Sequence, residues 1–376
     1  MIHMCVQSGR ATRAAKRGET YMARVVVGLS GGVDSAAAAY LLKQAGHEVI
    51  GVTLRTWESG SGEDSRCCEI DDARSVAQAL GIPFYTLNCT SDFREHVIRP
   101  FVREYLRGRT PNPCVVCNRA VKWERMQYMA RVLQADFVAT GHYASVVRLP
   151  SGRYTVRKAL HAEKDQTYML YRLTQQQLAM TLMPLGELSK PEVRQIAAQA
   201  GIPVAGKKDS QEICFVPDGS YTDFIAAGAE STLPGEGPFV DEAGNRLGTH
   251  RGIIHYTVGQ RRGLGLATGH HVYVKELRPE TNEVVIGDEQ SLYADSIICE
   301  DVCWMSVPGP EPGKSLLCSA RIRYRHEPCP AVLKAIDGGR IRVCFEDPVR
   351  APAPGQSAVF YDGDGCVIGG GIITAE

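Results

Sequence analysis

The sequence predicts an α/β protein in which a Rossmann-like domain with a parallel sheet precedes a small β-rich domain and a C-terminal β-barrel. First, short apolar strands alternate with helical segments from Arg24 to about Gly141. Second, a glycine-rich turn from Gly28 to Ser35 joins the first strand to the first helix. Third, after about Ser220 the pattern changes to short alternating runs separated by Gly, Pro and Asp-Gly. Strand–helix alternation is typical of parallel sheets, and short strands between turn residues are typical of barrels.

The N-terminal elements repeat a strand followed by a helix. We predict strands at residues 24–27, 48–53, 84–87 and 137–139, and helices at residues 35–45, 71–80, 93–106, 119–133 and 190–200. Gly46 and Gly81 close the first two helices, because glycine readily adopts the left-handed conformation that ends many helices. Right-handed crossovers then bring the carboxyl ends of the strands to one edge, together with Ser30, Asn88 and residues 140–143.

The C-terminal half is predicted to be β-rich. Apolar runs at residues 284–286, 316–325 and 341–345 predict strands, and Asp-Gly turns at residues 337–339 and 362–365 predict hairpins. We therefore divide the chain into a disordered basic leader (1–21), a catalytic domain (22–219), a central β-rich domain (220–290) and a C-terminal β-barrel domain (291–376). Met22 directly precedes the first strand, so a start at Met1 or at Met22 is left open.

The composition is that of a globular protein. The 376 residues are 44% hydrophobic and 22% charged, and no run of about 18 apolar residues predicts a membrane span. Because the formal net charge is zero, a nucleic-acid partner has to meet local basic surfaces. Thirteen cysteines without a secretory signal predict a reducing, cytoplasmic location, where paired cysteines usually serve metal binding or catalysis.

The segment Gly28-Leu29-Ser30-Gly31-Gly32-Val33-Asp34-Ser35 predicts a polyphosphate site. Glycines let backbone N–H groups approach phosphate oxygens, two serines add donors, and the next helix presents its positive end. The loop lacks the Walker A pattern and its lysine, whereas Asp34 is suited to hold a Mg²⁺ ion shared with pyrophosphate. The Ser-Gly-Gly-x-Asp-Ser core resembles the PP-loop family of ATP pyrophosphatases, which implies ATP cleavage to AMP and pyrophosphate.

Two loops hold cysteines in polar surroundings. Cys117 lies in Thr-Pro-Asn-Pro-Cys-Val-Val-Cys-Asn, just before a predicted helix whose positive end, with Arg119 and Lys122, is expected to lower the pKa of its thiol. Cys214 lies in Asp-Ser-Gln-Glu-Ile-Cys-Phe, after a Lys-Lys pair. Four other cysteines stand in apolar runs and are expected to be inert: Cys89, Cys299, Cys318 and Cys344. The role of the Cys67-Cys68 pair is left open.

These motifs, with Ala-Thr-Gly-His-Tyr-Ala and Lys-Asp-Gln-Thr-Tyr-Met-Leu, resemble the bacterial tRNA-specific 2-thiouridylase (MnmA) family from Met22 nearly to the end of the chain. The resemblance implies ATP-dependent replacement of O2 by sulfur on the wobble uridine (U34) of tRNA, through an O2-adenylated uracil. It implies that Cys214 carries a persulfide from a cysteine desulfurase or relay protein. It also implies that Cys117 is the second nucleophile and that a Cys117–Cys214 disulfide forms.

The resemblance assigns the remaining site residues as well. It implies that the nucleotide binds Gly28, Leu29, Ser30, Gly31, Gly32, Val33, Asp34, Ser35, Leu54 and Gly141. It implies that the tRNA anticodon arm and its target base bind Asn112, Pro113, Cys114, His142, Lys164, Asp165, Gln166, Arg323, Tyr324 and Gln356. Chemistry on uracil is expected to need a flipped-out base, which a single-stranded loop readily provides.

Cys114 departs from the family pattern, which has an aspartate there. Three interpretations stay open: a passive substitution, a resolving thiol paired with Cys117, or a metal ligand with Cys117 and Cys214. Three thiolates can hold a [4Fe–4S] cluster with one iron open, as related PP-loop tRNA thiolases do, whereas structural zinc prefers four ligands.

Basic residues suggest two RNA-binding stripes. Arg99, Arg103 and Arg107 share one helix face, where pairing with Glu95 and Glu104 is the alternative. A second stripe is expected on one face of a strand, formed by Arg321, Arg323 and Arg325, with further basic groups at His250, Arg251, Arg261 and Arg262.

Two other functional classes remain open. One is a PP-loop small-molecule ligase of the argininosuccinate or NAD synthetase type, which has no use for the two thiols. The other is a non-catalytic iron–sulfur or RNA-binding module, which leaves Asp34 without a role.

Overall fold

The structure, a computed structural model, describes residues 22–57, 70–207, 213–216, 221–229, 233–311 and 313–375. The leader, the Cys67-Cys68 pair and residues 209–212 of the Cys214 motif lie outside the described residues. The described chain forms two compact units. The first contains the residues up to Phe93, Cys117–Phe215 and Gly365–Val367, and the second contains Arg94–Val116, Val216–Asp364 and the residues from Ile368 onward.

The helices and strands are named in chain order. They are β1 (Arg24–Gly28), α1 (Val33–Gln44), β2 (Glu48–Arg55), α2 (Ile70–Leu80), β3 (Phe84–Asn88), α3 (Thr90–Phe93), α4 (Arg99–Leu106), α5 (Pro113–Cys117), α6 (Trp123–Val132), β4 (Phe137–Ala139), β5 (Ala144–Arg148), β6 (Tyr154–Lys158), α7 (Gln175–Ala179), β7 (Thr181–Leu182), α8 (Lys190–Gln199), α9 (Tyr221–Gly228), β8 (Gly237–Val240), β9 (Arg246–His250), β10 (Tyr273–Arg278), β11 (Glu283–Gly287), β12 (Tyr293–Trp304), β13 (Ser315–Arg321), β14 (Cys329–Ala335), β15 (Ile341–Arg350), β16 (Ser357–Tyr361) and β17 (Val367–Ile373).

The first unit is built on a parallel sheet with the strand order β3-β2-β1-β4-β7. The three valines of β1 are fully buried, as expected for the central strand of a sheet covered on both faces. Helix α1 packs against α8, and α6 packs on β1 and β4. This confirms the predicted Rossmann-like parallel sheet. It also places the ends of β1, β3 and β4, and therefore Ser30, Asn88 and Gly141, at one edge of the sheet.

A small hairpin that the sequence analysis did not predict completes the first unit. Strands β5 and β6 pair with each other, and β6 also forms hydrogen bonds with the segment Gly365–Val367 near the C-terminal end of the chain. The amide of Lys158 donates to the carbonyl of Gly365 over 3.0 Å, and the buried hydroxyl of Thr155 donates to the carbonyl of Val367 over 2.7 Å. Residues more than 200 positions apart in sequence therefore form one structural element.

The second unit contains two β structures. A four-stranded sheet has the order β10-β11-β8-β9, and six strands close a barrel in the order β12-β15-β14-β13-β16-β17. The barrel encloses an apolar core that includes Cys299, Leu333 and Phe360. The predicted β-rich domain and C-terminal barrel are thus confirmed, and the Asp-Gly segments lie in the β14–β15 and β16–β17 connections.

Two expectations for the basic residues of this unit are wrong. Strand β13 ends at Arg321, so Arg323 and Arg325 lie in the following turn and do not share a strand face with it. His250 is buried and both its ring nitrogens bond to backbone: Nδ1 accepts from the amide of Gly252 and Nε2 donates to the carbonyl of Asn282. His250 is therefore a structural residue of the four-stranded sheet. In the part of the chain that the structure describes, no helix is long and apolar enough to cross a membrane.

Candidate nucleotide and thiol sites

The phosphate loop, residues 28–35, connects β1 to α1. Gly31 adopts a left-handed conformation with φ of 72°, which allows the chain to turn sharply before the helix begins. The hydroxyl of Ser35 accepts from the amide of Ser30 over 3.1 Å and donates to the carbonyl of Gly32 over 3.0 Å. The buried hydroxyl of Thr53 in β2 donates to the carbonyl of Leu29 over 2.7 Å. The loop is therefore held open at the N-terminus of α1, where backbone N–H groups favour anions.

Gly141 lets the segment after β4 approach the phosphate loop. A Cβ atom at this position would lie 2.6 Å from both the carbonyl carbon of Asp34 and the amide nitrogen of Ser35. No side chain fits at that distance, so the close contact between this segment and the phosphate loop requires glycine at position 141.

We expect Gly141→Ala to displace the phosphate loop. Overpacking of this kind costs about 1–3 kcal/mol, so the free energy of unfolding falls by that amount and ATP affinity falls by about tenfold or more. Urea unfolding and ATP titration measure the two effects. Gly206→Ala is the matched control, because a Cβ atom at Gly206 meets nothing within 4 Å. Unchanged ATP affinity in Gly141→Ala would contradict the assignment.

Asp34 is held by two side chains from distant parts of the sequence. The ammonium group of Lys190, at the start of α8, donates to both carboxylate oxygens over 2.7 and 2.9 Å. The hydroxyl of Tyr143, which follows β4, donates to Oδ1 over 2.8 Å. The side chain of Lys190 is only 11% exposed, whereas that of Asp34 is 32% exposed. The carboxylate is thus fixed in place but still reachable from solvent.

Lys190 is a residue of the candidate site that the sequence analysis did not predict. The loop has no lysine of its own, and the structure supplies one from a helix that begins 156 residues later. Ser189 and Glu192 form a capping box that starts α8 at Lys190. One feature of the sequence could have indicated a special role for Lys190. It is a lysine at the first position of a helix, where the helix dipole disfavours a cation.

Tyr143 is itself held by the segment that was predicted to bind tRNA. The amide of Tyr143 donates to Oε1 of Gln166, and the amide of Gln166 donates to the carbonyl of Tyr143. The neighbouring carboxylate of Asp165 is buried and accepts from the amide and hydroxyl of Thr167. In this structure Asp165 and Gln166 support Tyr143 and the turn at Thr167. Lys164 lies beside them, half-buried.

His142 packs between the sheet edge and α6. Its ring lies 5.5 Å from that of Trp123, and Nδ1 is 2.9 Å from the hydroxyl of Thr140. Burial, and to a smaller extent the positive charge of Lys122, lower the pKa of His142 from 6.5 to about 3. His142 is therefore a neutral imidazole at physiological pH.

We expect His142 to make the protein less stable in mild acid. Because the pKa of His142 is lower in the folded state, the unfolded chain binds more protons than the folded chain once the pH falls below 6.5. The free energy of unfolding then decreases as the pH falls, until the pH reaches the folded-state pKa of about 3. The urea midpoint is expected to fall between pH 7.5 and pH 5, and to fall less in His142→Gln. The exposed His271, changed to Gln, serves as the control. Equal pH dependence in wild type and His142→Gln would contradict this.

Cys117 lies inside a helical stretch that begins earlier than predicted. Helix α5 starts at Pro113, whose missing N–H is no loss at a first helical position, and leads without a break through residues 118–122 into α6. The first turn therefore contains the exposed Cys114, while Cys117 follows it and is buried. The prediction that Cys117 lies just before the start of a helix is therefore wrong, because the helix begins four residues earlier, at Pro113.

The short helix α3 contacts residues that lie close in sequence to Cys117 and Cys214. Phe215 stacks edge-on against Phe93 with a centroid distance of 5.4 Å, and both rings are fully buried. The preceding residue of α3, Asp92, pairs with Arg125, which lies two turns after Cys117 in α6. Helix α3 thus contacts the residue that follows Cys214 and a residue two turns beyond Cys117.

A [4Fe–4S] cluster does not fit the described arrangement. Among the residues that the structure describes, no three His, Cys, Asp or Glu side chains form a metal-binding group, so Cys114, Cys117 and Cys214 are not brought together as ligands.

Cys89 and Cys299 are buried in the core, as predicted, and burial raises the pKa of Cys89 to about 11 and that of Cys299 to about 12. Cys318 and Cys344 are only half-buried.

The second unit contains the other residues predicted to bind tRNA. The guanidinium of Arg323 donates to the backbone carbonyls of Val258 and Ala351, so it joins the barrel to the segment before β10. Tyr324 lies against Arg321, with 5.9 Å between the guanidinium and the ring centroid. Asn112 accepts from the amide of Cys114, and Gln356 donates to a backbone carbonyl. The Arg99–Glu95 and Arg107–Glu104 pairs form, whereas Arg103 is exposed.

The parallel sheet and its phosphate loop define an α/β enzyme of the PP-loop class, which uses ATP. Residues 23–218 match the family described as the tRNA methyl transferase HUP domain, residues 222–288 match the corresponding PRC-barrel domain, and residues 294–373 match the aminomethyltransferase β-barrel domain. The tRNA-specific 2-thiouridylase MnmA of Lachnoclostridium phytofermentans is 51% identical over 360 residues, which cover 94% of this chain and 99% of that protein. The tRNA-specific 2-thiouridylase MnmA of Acetivibrio thermocellus is 48% identical over 93% of this chain and 99% of that protein.

The chain belongs to the tRNA-specific 2-thiouridylase family, a family of tRNA-uridine 2-sulfurtransferases. This membership argues against the small-molecule ligase and the non-catalytic module. Among solved structures, the U34-tRNA thiolase NcsA from Methanococcus maripaludis with its [4Fe-4S] cluster is 19% identical, with a TM-score of 0.35 over 55% of this chain and 63% of that one.

Proposed function

We propose that this protein replaces O2 of the wobble uridine, U34, of tRNA by sulfur, through an O2-adenylated uracil and a cysteine persulfide. The observation that supports this best is that a single unit contains both halves of the chemistry. It holds the phosphate loop with Asp34 fixed by Lys190 and Tyr143, and it also contains Cys117 and Cys214.

In the first step, uracil O2 attacks the α-phosphorus of ATP and pyrophosphate leaves. Lys190 is suited to this step because its buried ammonium is already at the loop and can turn from Asp34 toward phosphate oxygens. Such preorganised charges stabilise the transition state of phosphoryl transfer. Asp34 is suited to hold Mg²⁺, because this ion usually takes one or two carboxylates together with phosphate oxygens and waters. When bound, Mg²⁺ would neutralise the pyrophosphate.

In the second step, the terminal sulfur of a Cys214 persulfide reaches carbon 2 and AMP leaves. Either this sulfur attacks carbon 2 directly and the Cys117 thiolate then attacks the Cys214 sulfur, or Cys117 attacks the persulfide first and releases hydrosulfide, which attacks carbon 2. Both routes end with 2-thiouridine, AMP and a Cys117–Cys214 disulfide. A two-electron thiol reductant must then reduce this disulfide.

The partners follow from the same proposal. The anticodon arm is the RNA ligand, with its wobble base flipped out toward Asn112, Pro113 and Cys114. The contacts proposed for the arm are His142, Lys164, Asp165, Gln166, Arg323, Tyr324 and Gln356, of which Asp165 acts through the turn that it supports. A cysteine desulfurase or a sulfur-relay protein loads Cys214.

Reconstitution tests the function. Purified protein, ATP, Mg²⁺, a persulfide donor and unmodified tRNA are expected to give thiolated tRNA, which a mercury-containing gel retards. A transcript in which U34 is replaced by cytidine is the matched control and is expected to stay unretarded. Thiolation of that control, or no ATP-dependent thiolation of the uridine transcript, would refute the proposal.

A further inference from the structure

The cysteine loop, residues 110–117, is anchored at its start to the C-terminal barrel. The amide of Thr110 donates to the carbonyl of Pro354 over 2.7 Å. The carbonyl of Thr110 accepts from Nε2 of Gln356 over 2.8 Å. Both backbone polar groups of Thr110 are therefore bonded to one turn of the barrel, residues 353–356, and all of these residues belong to the second unit.

The shape of that turn matches the cysteine loop. Gly355 has a φ of 89°, and a Cβ atom there would lie 2.9 Å from the amide nitrogen of Thr110 and 3.0 Å from Cβ of Arg109. The turn is itself fixed to β17, since the amide of Gly355 donates to the carbonyl of Ile373 and the amide of Ile373 donates to the carbonyl of Gln356. The anchor therefore has the rigidity of the barrel.

A charged contact also anchors the start of the cysteine loop to the barrel. The guanidinium of Arg109 donates to Glu300 of β12 over 2.8 Å and also pairs with Glu104 over 2.9 Å. Beyond Thr110, the prolines at positions 111 and 113 restrict the backbone, and Asn112 accepts from the amide of Cys114 over 3.2 Å. Few free dihedral angles separate the anchor from the start of α5.

We propose that Gln356 is a positioning residue that fixes the cysteine loop, and that the barrel acts on the chemistry through it. Gln356 was expected to contact tRNA, whereas here its amide nitrogen bonds to Thr110. The side-chain oxygen of Gln356, Oε1, is a separate acceptor. An RNA contact through this oxygen is therefore compatible with the bond from Nε2 to Thr110. The consequence for catalysis rests on the proposed function, but the anchoring itself does not.

Gln356→Glu tests the anchor with almost no change in shape, because a carboxylate cannot donate to the carbonyl of Thr110. Hydrogen exchange is measured on the whole chain without ATP or tRNA. Loss of one such bond is expected to speed amide exchange in residues 110–117 by about fivefold. Arg109→Gln is a second variant that removes the contact to Glu300, and Arg340→Ala, an exposed residue in the β14–β15 connection, is the control.

A second measurement separates positioning from RNA binding. With saturating ATP and tRNA the rate constant no longer depends on tRNA affinity, and Gln356→Glu is expected to lower the single-turnover rate constant for thiolation under these conditions. A separate measurement of the Kd for tRNA reports any lost RNA contact. Unchanged exchange in residues 110–117, with or without weaker tRNA binding, overturns the proposal. Faster exchange in the variant together with no thiolation by the wild type keeps the anchor and refutes the proposed function instead.

Discussion

Replacing Asp34 with Asn is expected to lower the rate of tRNA-dependent pyrophosphate release by about 10²–10³-fold. The amide keeps the shape of the carboxylate, but it removes the negative charge that balances Lys190 and that would hold Mg²⁺. The change also removes the ion pair with Lys190, whose side chain is only 11% exposed. Release of labelled pyrophosphate from ATP, with tRNA present, measures the effect.

Asp71→Asn is the matched control for this variant. Asp71 also lies in the first turn of a helix, α2, but its side chain is 89% exposed and pairs with Arg74 over 2.7 Å. Exposed pairs of this kind contribute about 0–1 kcal/mol, so neither activity nor stability is expected to change measurably. If Asp34→Asn released pyrophosphate within threefold of the wild-type rate, Asp34 would have no part in the first step.

Cys214→Ser is expected to abolish thiolation while leaving pyrophosphate release intact. A serine hydroxyl cannot carry a persulfide sulfur, whereas the phosphate loop does not involve Cys214. The two products are measured in the same reaction, thiolated tRNA on a mercury-containing gel and pyrophosphate by release of label. Loss of one product without the other separates the two steps of the proposal.

Cys344→Ser provides the comparison for this second variant. Cys344 is half-buried in β15 of the barrel and has no part in the proposed chemistry. It is expected to thiolate tRNA like the wild type. Retained thiolation in Cys214→Ser would exclude Cys214 as the sulfur carrier, and loss of pyrophosphate release in that variant would point to a damaged fold.

The architecture could be predicted from local patterns, because strand–helix alternation and Asp-Gly turns are encoded within short stretches of sequence. The phosphate loop could be predicted for the same reason, since all its parts lie between Gly28 and Ser35. The beginning of the helical stretch at Pro113 was missed, although a proline at a first helical position is common. The Val-Val pair before Cys117 gave no helical periodicity to counter the two prolines.

The long-range contacts could not be predicted in this way. Lys190 reaches Asp34 across 156 residues and Gln356 reaches Thr110 across 246 residues, and no local pattern specifies such pairs. The error at Arg323 has a different cause. The alternation of Arg321, Arg323 and Arg325 imitates a strand, but β13 ends at Arg321 and the guanidinium of Arg323 bonds to backbone carbonyls instead of facing solvent.

The short segment Gly365–Val367 affects how the protein is made. It completes the edge of β6 in the first unit, where its carbonyl groups accept hydrogen bonds from Thr155 and Lys158. During synthesis from the N-terminus, that edge stays unpaired until almost the whole chain has left the ribosome. A newly made first unit is therefore an unfinished domain with an open strand, and any truncation before residue 365 leaves that strand exposed to pairing with other chains.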